Sequence, residues 1–367
     1  MNEEKMSNID EEIKRIEEEI RKTQYNKATE HHIGRLKAKL AKLKQTKESS
    51  RGGGGHQIGI KKSGNGMVSL VGFPSVGKST LFNSLTDLQS ETGDFDFTTV
   101  DVIPGMMKYR GANIQLLDLP GIIEGAEKGK GMGKKVLSIA RSSDAIIVVT
   151  DIHNPDPAPI IRMLHSMGIR LNRRRPNIFL VKKDRGGINV YATMKSDLEE
   201  EMVKDILREF KIVNADLVIR ENISTDDLID FLIGNRVYIP GIFVLNKIDE
   251  NPEIINSDII KNLMEKYGMI PVSAKYKTNI DTLKDTIYDT LDLITIYVKP
   301  PDGEKEPMVI KRYSTVEMVC RNIHKDFVEK FKYGIVNGPS AKYPNHRVGL
   351  DHVLEDGDTV TLIVRHS

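Results

Sequence analysis

A segment around residue 75 has the residue types and spacing of a phosphate-binding loop: GFPSVGKS, residues 72–79. It follows the apolar run MVSLVG and precedes the helical pattern KSTLFNSL, as a P-loop does. Its glycines let backbone N–H groups close around phosphates, and the N-terminus of the next helix adds positive potential. We expect Lys78 to contact the outer phosphates as a catalytic residue and Ser79 to ligate Mg²⁺. The predicted nucleotide-binding residues of this segment are Gly72, Pro74, Ser75, Val76, Gly77, Lys78, Ser79 and Thr80.

A second motif, DLPG at residues 118–121, ends the strand-like run ANIQLLDLP. Asp118 can hold Mg²⁺ through a water molecule, and the N–H group of Gly121 can bind the terminal phosphate during catalysis. The same four residues are also a common turn. Because a phosphate loop lies upstream, we predict that Asp118 binds nucleotide and metal and that Gly121 binds nucleotide and assists catalysis.

The segment between these motifs contains Phe97-Thr98-Thr99. A nucleotide-driven switch needs a loop threonine that ligates Mg²⁺ only while the terminal phosphate is present. Thr99 is the predicted metal ligand and catalytic residue, and Thr98 is the alternative. The start of a strand rich in β-branched residues would explain the same pattern without a role in catalysis.

Two further segments, NKID at 246–249 and SAK at 273–275, follow the apolar runs GIFVLN and MIPV. The Asp249 carboxylate can accept hydrogen bonds from N1–H and the exocyclic amine of guanine, which adenine does not offer in that arrangement. Such a site rejects the wrong base strongly, since mispairing leaves buried polar groups unsatisfied. NKxD alone is also a common surface turn. After a phosphate loop it predicts guanine specificity and argues against an ATP-dependent enzyme.

The other residues of these two segments have predicted supporting roles. Asn246 is expected to hold the loop and the base, and the stem of Lys247 to cover one face of the ring. Backbone N–H groups of the SAK segment are expected to donate to guanine O6. The predicted base-site residues are Asn246, Lys247, Asp249, Ser273, Ala274 and Lys275.

Apolar runs alternate with amphipathic stretches from Met67 to about residue 295. This alternation predicts an α/β fold with a parallel sheet covered by helices on both faces. The predicted strands are MVSLVG, ANIQLLDLP, AIIVVTD, GIFVLN and MIPVSA. After residue 296, strand-like runs flank one predicted helix, Thr315 to Phe331, which indicates a compact α+β module.

The first 50 residues have the pattern of a helical hairpin. Isoleucines at 9, 13, 16 and 20 form one apolar stripe, and leucines at 36, 40 and 43 form another after a polar break that contains Gly34. The first half is acidic and the second is basic, so two antiparallel helices would attract each other. The hairpin either packs only on its own protein or presents a basic arm to RNA or a partner.

The stretch between Asp118 and Asn246 is longer than the roughly 60 residues that two strand–helix units occupy. The excess predicts an inserted subdomain at 153–238. The insert is either solvated or able to contact the phosphates of ribosomal RNA through a basic cluster. The members of this cluster are Arg170, Arg173, Arg174, Arg175, Lys182, Lys183 and Arg185.

The composition is that of a water-soluble protein of two or three domains, with 39% hydrophobic and 29% charged residues among 367. Without an apolar run near the roughly 20 residues of a membrane helix, and with a charged N-terminus, we expect a cytoplasmic protein that does not contact membranes. Cys320 is expected to be a buried free thiol in a reducing compartment. A net charge of +2 gives no reason to expect DNA binding.

The residue after DLPG is Ile122, where Ras-type enzymes place a glutamine that orients the attacking water. An aliphatic side chain cannot orient water. We therefore expect slow intrinsic turnover, or help from another residue, a monovalent cation or a partner. A regulatory GTPase and a GTP-occupied assembly factor with negligible turnover both fit this pattern.

In their order, GFPSVGKSTL, DFTT, DLPGIIEGA, NKID and SAK resemble the motifs of developmentally regulated GTP-binding (DRG) proteins, a family of the Obg–HflX group of GTPases. The resemblance extends to TQYNKATEHHIGRLKAKLAKLK, to KKDRGGINV, and to the region from IYVKPPDG onward, which resembles a ubiquitin-like β-grasp (TGS) domain. It implies a cytosolic GTPase that binds GTP and GDP with Mg²⁺ and associates with ribosomes. Eukaryotic members act with a stabilising partner protein. Related GTPases that use K⁺ carry asparagine where this chain has Ser75, which offers a hydroxyl oxygen instead.

The resulting organisation is a P-loop GTPase domain with an inserted α+β subdomain and a module at each end. A helical hairpin and a Gly-rich linker precede the first part of the GTPase domain. The insert, the second part of the GTPase domain and a TGS domain that binds either RNA or protein follow. The predicted ranges, in this order, are 1–50, 51–66, 67–152, 153–238, 239–295 and 296–367.

Overall fold

The computed structural model describes residues 2–24, 26–27, 29–50, 62–86, 102–119, 132–194, 198–300, 303–324 and 326–365. The chain forms two compact units. The first combines Met1–Gln57 with Gly168–Tyr238, and the second combines Ile58–Met167 with Ile239–Ser367. Within the described ranges, no helix is both long enough and apolar enough to cross a membrane.

The helices are α1 (Asn2–Lys22), α2 (Glu30–Ser50), α3 (Lys78–Leu85), α4 (Met132–Ser142), α5 (Ala158–Ser166), α6 (Glu200–Glu209), α7 (Thr225–Ile233), α8 (Asp258–Tyr267), α9 (Ile280–Thr290), α10 (Val316–Ile323) and α11 (Asp326–Glu329). The strands are β1 (Gly66–Gly72), β2 (Ile103–Tyr109), β3 (Ala112–Asp118), β4 (Ala145–Asp151), β5 (Ile169–Leu171), β6 (Ile178–Lys182), β7 (Ile188–Ala192), β8 (Ala215–Ile219), β9 (Val237–Ile239), β10 (Gly241–Asn246), β11 (Ile270–Pro271), β12 (Leu293–Val298), β13 (Glu306–Lys311), β14 (Phe331–Asn337), β15 (His346–Val348) and β16 (Thr359–Val364). A short 3₁₀ helix spans Pro252–Asn256.

A six-stranded sheet organises the second unit, with the strand order β11-β10-β4-β1-β3-β2. All neighbours from β11 to β3 are parallel, and β1 and β4 are buried over their full lengths. Side chains of α3 and α9 share one apolar core with this sheet. The predicted parallel sheet is confirmed, and its carboxyl ends meet at one edge, where such folds bind ligands.

Strand β2 was not predicted by any sequence pattern, and it pairs antiparallel with β3 at the edge of the sheet. It contains Pro104 and Gly105, which weaken a strand signal but are tolerated at an edge. A Cβ atom at Gly105 would lie 2.6 Å from the ring of Phe82 in α3. The glycine therefore permits close packing between helix and strand.

The C-terminal part is a five-stranded sheet with the order β13-β12-β16-β14-β15, and α10 packs in its core. Strand β12 is parallel to β16, and the other pairs are antiparallel, which is the predicted β-grasp arrangement. The prediction of one helix from Thr315 to Phe331 is wrong. Helix α10 ends because His324 is extended (φ −163°, ψ 143°), and Phe331 begins β14. Cys320 is a buried free thiol, and burial raises its pKa.

The predicted flexible linker at 51–66 is wrong for its last residues. Lys62 Nζ donates to Asp144 Oδ1 at 3.0 Å, and the Asn65 backbone donates to the Asn113 carbonyl at 2.7 Å. These hydrogen bonds fix residues 62–66 within the second unit, and the chain then continues directly into β1. Residues 51–61 lie outside the described part of the chain.

Helices α1 and α2 confirm the predicted hairpin and its charge complementarity. Ion pairs of 2.7 Å join Lys39 to Glu12 and Lys44 to Glu17. The predicted break at Gly34 is wrong, because Gly34 lies inside α2. The turn lies between the end of α1 and the start of α2, where the Asn26 side chain accepts from the Thr29 backbone and the Thr29 hydroxyl accepts from the Asn26 backbone, both at 3.0 Å.

The insert contains a three-stranded sheet with the order β6-β8-β7. One face of this sheet packs on α6, α7 and Ala38 of α2 in a single core. The compact unit begins at Gly168, so α5 belongs to the second unit although the predicted insert began at residue 153. The separate hairpin and insert of the predicted organisation are therefore one packed unit.

Arg170 was predicted to belong to the exposed basic cluster, and this prediction is wrong. Its side chain is 3% exposed and pairs with Asp230, with Nε to Oδ2 at 2.5 Å and Nη2 to Oδ1 at 2.7 Å. Arg236 Nε also donates to Asp230 at 3.0 Å. Position in a charge run does not reveal burial, and only the packing of α7 against β5 assigns Arg170 a structural role.

Asp230→Ala should destabilise the first unit by about 3–5 kcal/mol, because it leaves the Arg170 guanidinium buried without its partner. Hydrogen exchange measured by mass spectrometry on peptides from residues 168–238 would report this loss directly. Glu201→Ala is the matched control, since Glu201 is 69% exposed in its pair with Lys204 and an exposed pair contributes about 1 kcal/mol or less. Equal protection in both variants would contradict the structural role of Arg170.

Candidate nucleotide-binding site

The predicted phosphate loop connects the end of β1 to the start of α3. Gly77 has φ of +84°, and a Cβ atom there would lie 2.5 Å from Asn246 Nδ2. A Cβ atom at Gly72 would lie 2.4 Å from the Val149 carbonyl oxygen. Close approach therefore requires a glycine at both positions, and the left-handed conformation requires one at Gly77 as well. Val76 is buried in this loop, whereas the loop exposes Pro74 and Ser75 to solvent.

The first residues of α3 present polar side chains beside the loop. Lys78 Nζ donates to the carbonyls of Gly72 and Phe73 at 3.2 and 3.1 Å. The ammonium group is thus folded back over the loop, where an incoming phosphate would replace the carbonyls as acceptor. Thr80 is exposed one residue after Ser79.

Ser79, in the first turn of α3, and Asp118, at the end of β3, lie next to each other; both are predicted metal ligands. Ser79 Oγ donates to Asp118 Oδ2 at 2.8 Å. Asp118 is 3% exposed, and among the described residues its Oδ1 atom has no hydrogen-bond partner. A buried carboxylate oxygen without a partner beside a hydroxyl fits the oxygen ligands that Mg²⁺ requires.

The Asn246 side chain joins three parts of the site. Its Nδ2 donates to the Val76 carbonyl in the phosphate loop at 3.0 Å, and its Oδ1 accepts from the Ala274 backbone at 3.1 Å. Asn246 is 2% exposed. The Asn246 side chain therefore connects the phosphate loop to the NKID and SAK segments, and its predicted contact with the base stays a prediction.

Asp249 and the SAK segment are also adjacent. Ser273 Oγ donates to Asp249 Oδ1 at 2.5 Å and accepts from the Tyr276 backbone at 3.2 Å. The Ser273 backbone donates to the Thr278 carbonyl at 3.2 Å. The backbone N–H groups of Ser273 and Ala274 thus both donate to acceptors within the protein. The Lys275 ammonium group lies 5.1 Å from the ring centroid of Tyr276.

Asp151 is a residue of the site that the sequence analysis missed. It ends β4 in register with Asn246 of β10, and its Oδ2 accepts from Lys247 Nζ at 2.7 Å. Burial favours the neutral acid, but the hydrogen bonds from Lys247 and the Asn154 and His153 backbones hold the pKa of Asp151 below its usual range. The signal was available, because the run AIIVVTD ends in a carboxylate at the edge where the other motifs meet.

Four residues of the predicted catalytic region lie outside the described residues: Thr98, Thr99, Gly121 and Ile122. Their predicted roles stay predictions. The described part of the site already contains the phosphate loop, the candidate Mg²⁺ ligands and the candidate base-reading carboxylate at the edge of one parallel sheet. This fold and this site define a P-loop GTP-binding protein.

Family models match the chain in the same order as its structural parts. "50S ribosome-binding GTPase" matches residues 67–183, "C-terminal region of MMR_HSR1 domain" matches 185–293, and "TGS domain" matches 294–364. An uncharacterized GTP-binding protein of Methanocaldococcus jannaschii is 50% identical over 97% of this chain and 93% of its own length. Developmentally-regulated GTP-binding protein 1 of Xenopus laevis is 45% identical over 96% and 98%.

The chain belongs to the developmentally regulated GTP-binding protein family. Human developmentally-regulated GTP-binding protein 2 is also similar, with 42% identity over 96% of this chain and 98% of its own. Among solved structures, the YchF GTPase of Schizosaccharomyces pombe matches 83% of this chain and 99% of its own, with a TM-score of 0.47 and 16% identity. That likeness is too low to support any functional inference.

Asn246→Ala should weaken GDP and GTP binding by about tenfold or more. The change removes both bonds of the amide and leaves the Val76 carbonyl without its donor, a cost of about 1–3 kcal/mol. Titration with a fluorescent GDP analogue would measure the change. Asn83→Ala, at an exposed position of α3, is the control that should bind normally, and equal affinities in the two variants would contradict the role of Asn246.

Proposed function

We propose that this protein hydrolyses GTP to GDP and phosphate in an Mg²⁺-dependent reaction and uses the change as a conformational switch in ribosome-associated work. The main support for this proposal is the pair of hydrogen bonds made by the Asn246 amide. They connect the phosphate loop to the two segments expected to recognise guanine. One side chain thereby fixes the distance between a triphosphate site and a base site. Family membership supports GTP binding independently.

At the phosphate end, the chain supplies positive charge and oxygen ligands. Lys78 would exchange its two carbonyl acceptors for phosphate oxygens, and the backbone amides of the loop would surround them. Ser79 and Asp118 would hold Mg²⁺, which neutralises charge that develops on the phosphates. Thr99 and Gly121 are the proposed ligands that respond to the terminal phosphate.

At the base end, Asp249 is the proposed acceptor for guanine N1–H and the exocyclic amine. The bond from Ser273 Oγ orients this carboxylate and leaves its other oxygen available. Lys247 is held by Asp151, so that its stem is placed to cover a ring face. Guanine O6 would share the Ala274 amide with Asn246 or accept from the Lys275 amide.

Turnover is expected to be slow because Ile122 cannot orient an attacking water molecule. A monovalent cation bound near Ser75 is one proposed source of help, and K⁺ is the candidate. Ser75 is exposed to solvent and has φ of +63°, so the residue is accessible to a cation. Ile122 also favours the second candidate function, a GTP-occupied RNA or ribosome assembly factor with negligible turnover.

The proposed partners are the ribosome or its RNA, together with a stabilising protein, in the cytoplasm. The similarity of residues 67–183 to the family described as "50S ribosome-binding GTPase" supports the ribosomal partner. Exposed members of the insert cluster also support it, since Arg174, Arg175 and Arg185 remain on the surface after Arg170 is assigned to the core. Neither DNA nor a membrane is among the proposed partners.

Asp249→Asn should lower the affinity for GTP and raise that for xanthosine triphosphate. The 2-oxo group of xanthine suits the amide donor that replaces the carboxylate, whereas the guanine amine loses its acceptor. Competition of each nucleotide against fluorescent GDP would measure the exchange, with Asp258→Asn at an exposed site as the control. Retained preference for GTP in the Asp249 variant would refute the proposed base site.

Purified protein should release phosphate from GTP over multiple turnovers, and ribosomal subunits or K⁺ should raise the rate. Lys78→Ala gives the background, because it removes the charge that contacts the phosphates. Cosedimentation of the full chain with ribosomal subunits, compared with GDP and with a non-hydrolysable GTP analogue, tests the partner in parallel. Phosphate release no faster than the Lys78→Ala background under every condition would leave only the assembly-factor function.

A further inference from the structure

The insert has a sheet face that is not used by its own core. Because successive side chains of a strand point to opposite faces of the sheet, one set packs in the core shared with α6 and α7. This set includes Ile178, Leu180, Ala215 and Leu217. The intervening residues point to the opposite face, which we call the outer face. It consists of Phe179 and Val181 on β6, Asp216 and Val218 on β8, and Asn189 and Tyr191 on β7.

Two aromatic rings are exposed on the outer face in one row. Phe179 pairs with Val218, and Val218 pairs with Tyr191, so the two rings lie on either side of a short aliphatic residue. Phe179 is 51% exposed and Tyr191 is 54% exposed. Val181, 62% exposed, extends the apolar area toward the next row. Large apolar groups in one exposed patch indicate an interaction site.

Positive charge borders the outer face at both ends. The Arg220 guanidinium lies over the Phe179 ring, 4.5 Å from its centroid, and follows the end of β8. Arg185 follows β6, and because β6 and β8 are antiparallel it lies at the other end. The exposed Arg174 and Arg175 precede β6.

One acidic residue of this face is paired with a cation, and the two acidic residues at its border are outnumbered by the arginines there. Asp216 accepts from Lys183 at 2.5 Å and from Asn189 at 2.9 Å, and these hydrogen bonds hold its pKa below the usual range. Glu221 accepts from the Asn177 backbone at 2.7 Å, and Asp184 is exposed beside Arg185. The balance of exposed charge therefore favours a polyanion.

We propose that the outer face binds single-stranded RNA, with one base stacked on Phe179 and another on Tyr191. The two rings are two inter-strand spacings apart, about 10 Å, which suits unstacked bases and does not suit the continuous stack of a duplex. Arg185 and the arginines before β6 contact the phosphates. The Arg220 guanidinium, which lies over the Phe179 ring in this structure, moves from the ring to a phosphate when the base stacks. Two rings give a sequence-tolerant site, because every base offers a face for stacking.

An acidic protein segment is the competing occupant, since it would also match the basic border. The pair of exposed rings favours RNA because a nucleobase stacks on an aromatic face, whereas the negative charge of a carboxylate is repelled by the negative face of the ring. The proposal deepens the ribosome association proposed above and rests on it for the source of the RNA. Regions of ribosomal RNA that are not base-paired supply this chemistry.

The test uses the full chain and a fluorescein-labelled 12-nucleotide uridine-rich RNA, with a duplex RNA of equal length for comparison. The variant is Phe179→Ala/Tyr191→Ala, and the matched control is Tyr313→Ala, an aromatic residue that is 73% exposed in the C-terminal domain. Both changes are at exposed positions, so folding should be retained. Fluorescence anisotropy over a range of salt concentrations gives affinity and salt dependence.

Wild type and Tyr313→Ala should bind the single strand better than the duplex. The double variant should lose at least about tenfold in affinity for the single strand, with an unchanged salt dependence because no phosphate contact is removed. Arg185→Ala should instead reduce the slope of log affinity against log salt concentration by about 0.7. Absence of single-strand binding, equal binding of both RNAs, or an unaffected double variant would overturn the proposal.

Two further measurements separate the alternatives. If an acidic peptide binds wild type and the double variant loses that binding while RNA binding is unchanged, the occupant is a protein and the proposal fails. Ribosome cosedimentation is measured on the same proteins. If it is normal in wild type and the double variant alike, the ribosome association stands while the stacking face is rejected.

Discussion

One buried amide, that of Asn246, sets the geometry on which the nucleotide site depends. Its strand, β10, is separated from the phosphate-loop strand β1 by β4, so the sheet alone does not bring their loops into contact. The amide crosses this gap by donating to Val76 and accepting from Ala274. The same contact explains Gly77, because any side chain there would occupy the place of the amide nitrogen. The Asn246 amide thus constrains both the conformation of the phosphate loop and the position of the base site.

A second consequence of the parallel sheet is that charged groups from different strands meet and compensate each other. Asp151 and Asn246 are in register at the ends of β4 and β10, and Asp151 pairs with Lys247. Ser79, in the first turn of α3, likewise donates a hydrogen bond to Asp118 at the end of β3. These pairs keep ionised and polar groups at the edge before any ligand arrives, so binding a nucleotide requires an exchange of partners with little refolding.

The sequence was sufficient for the parts whose chemistry is local. Three kinds of pattern were recognisable in the sequence: the fixed spacing of the phosphate loop, a carboxylate after an apolar run, and the alternation of strands and helices. The structure brings the described residues of these motifs together. Residues whose role depends on packing were missed or misread. Arg170 looks like its exposed neighbours in a charge run, Gly34 looks like a helix break, and β2 contains residues that normally oppose a strand. For Arg170 the deciding contact is with Asp230, 60 residues away in the sequence, and for β2 it is the edge pairing with β3, which tolerates Pro104 and Gly105.

The construction of the first unit also explains why its sheet has an available face. Helices α6 and α7 and Ala38 of α2 fill the inner face of β6, β8 and β7, so the N-terminal hairpin and the insert depend on each other for a complete core. All of these contacts are made on one face of the sheet, and on the other face Phe179, Val181 and Tyr191 are each more than half exposed. Leaving Phe179, Val181 and Tyr191 exposed gives up hydrophobic stabilisation. Binding of a partner to this surface would explain why the stabilisation is given up. Because the border is basic, the expected partner carries negative charge.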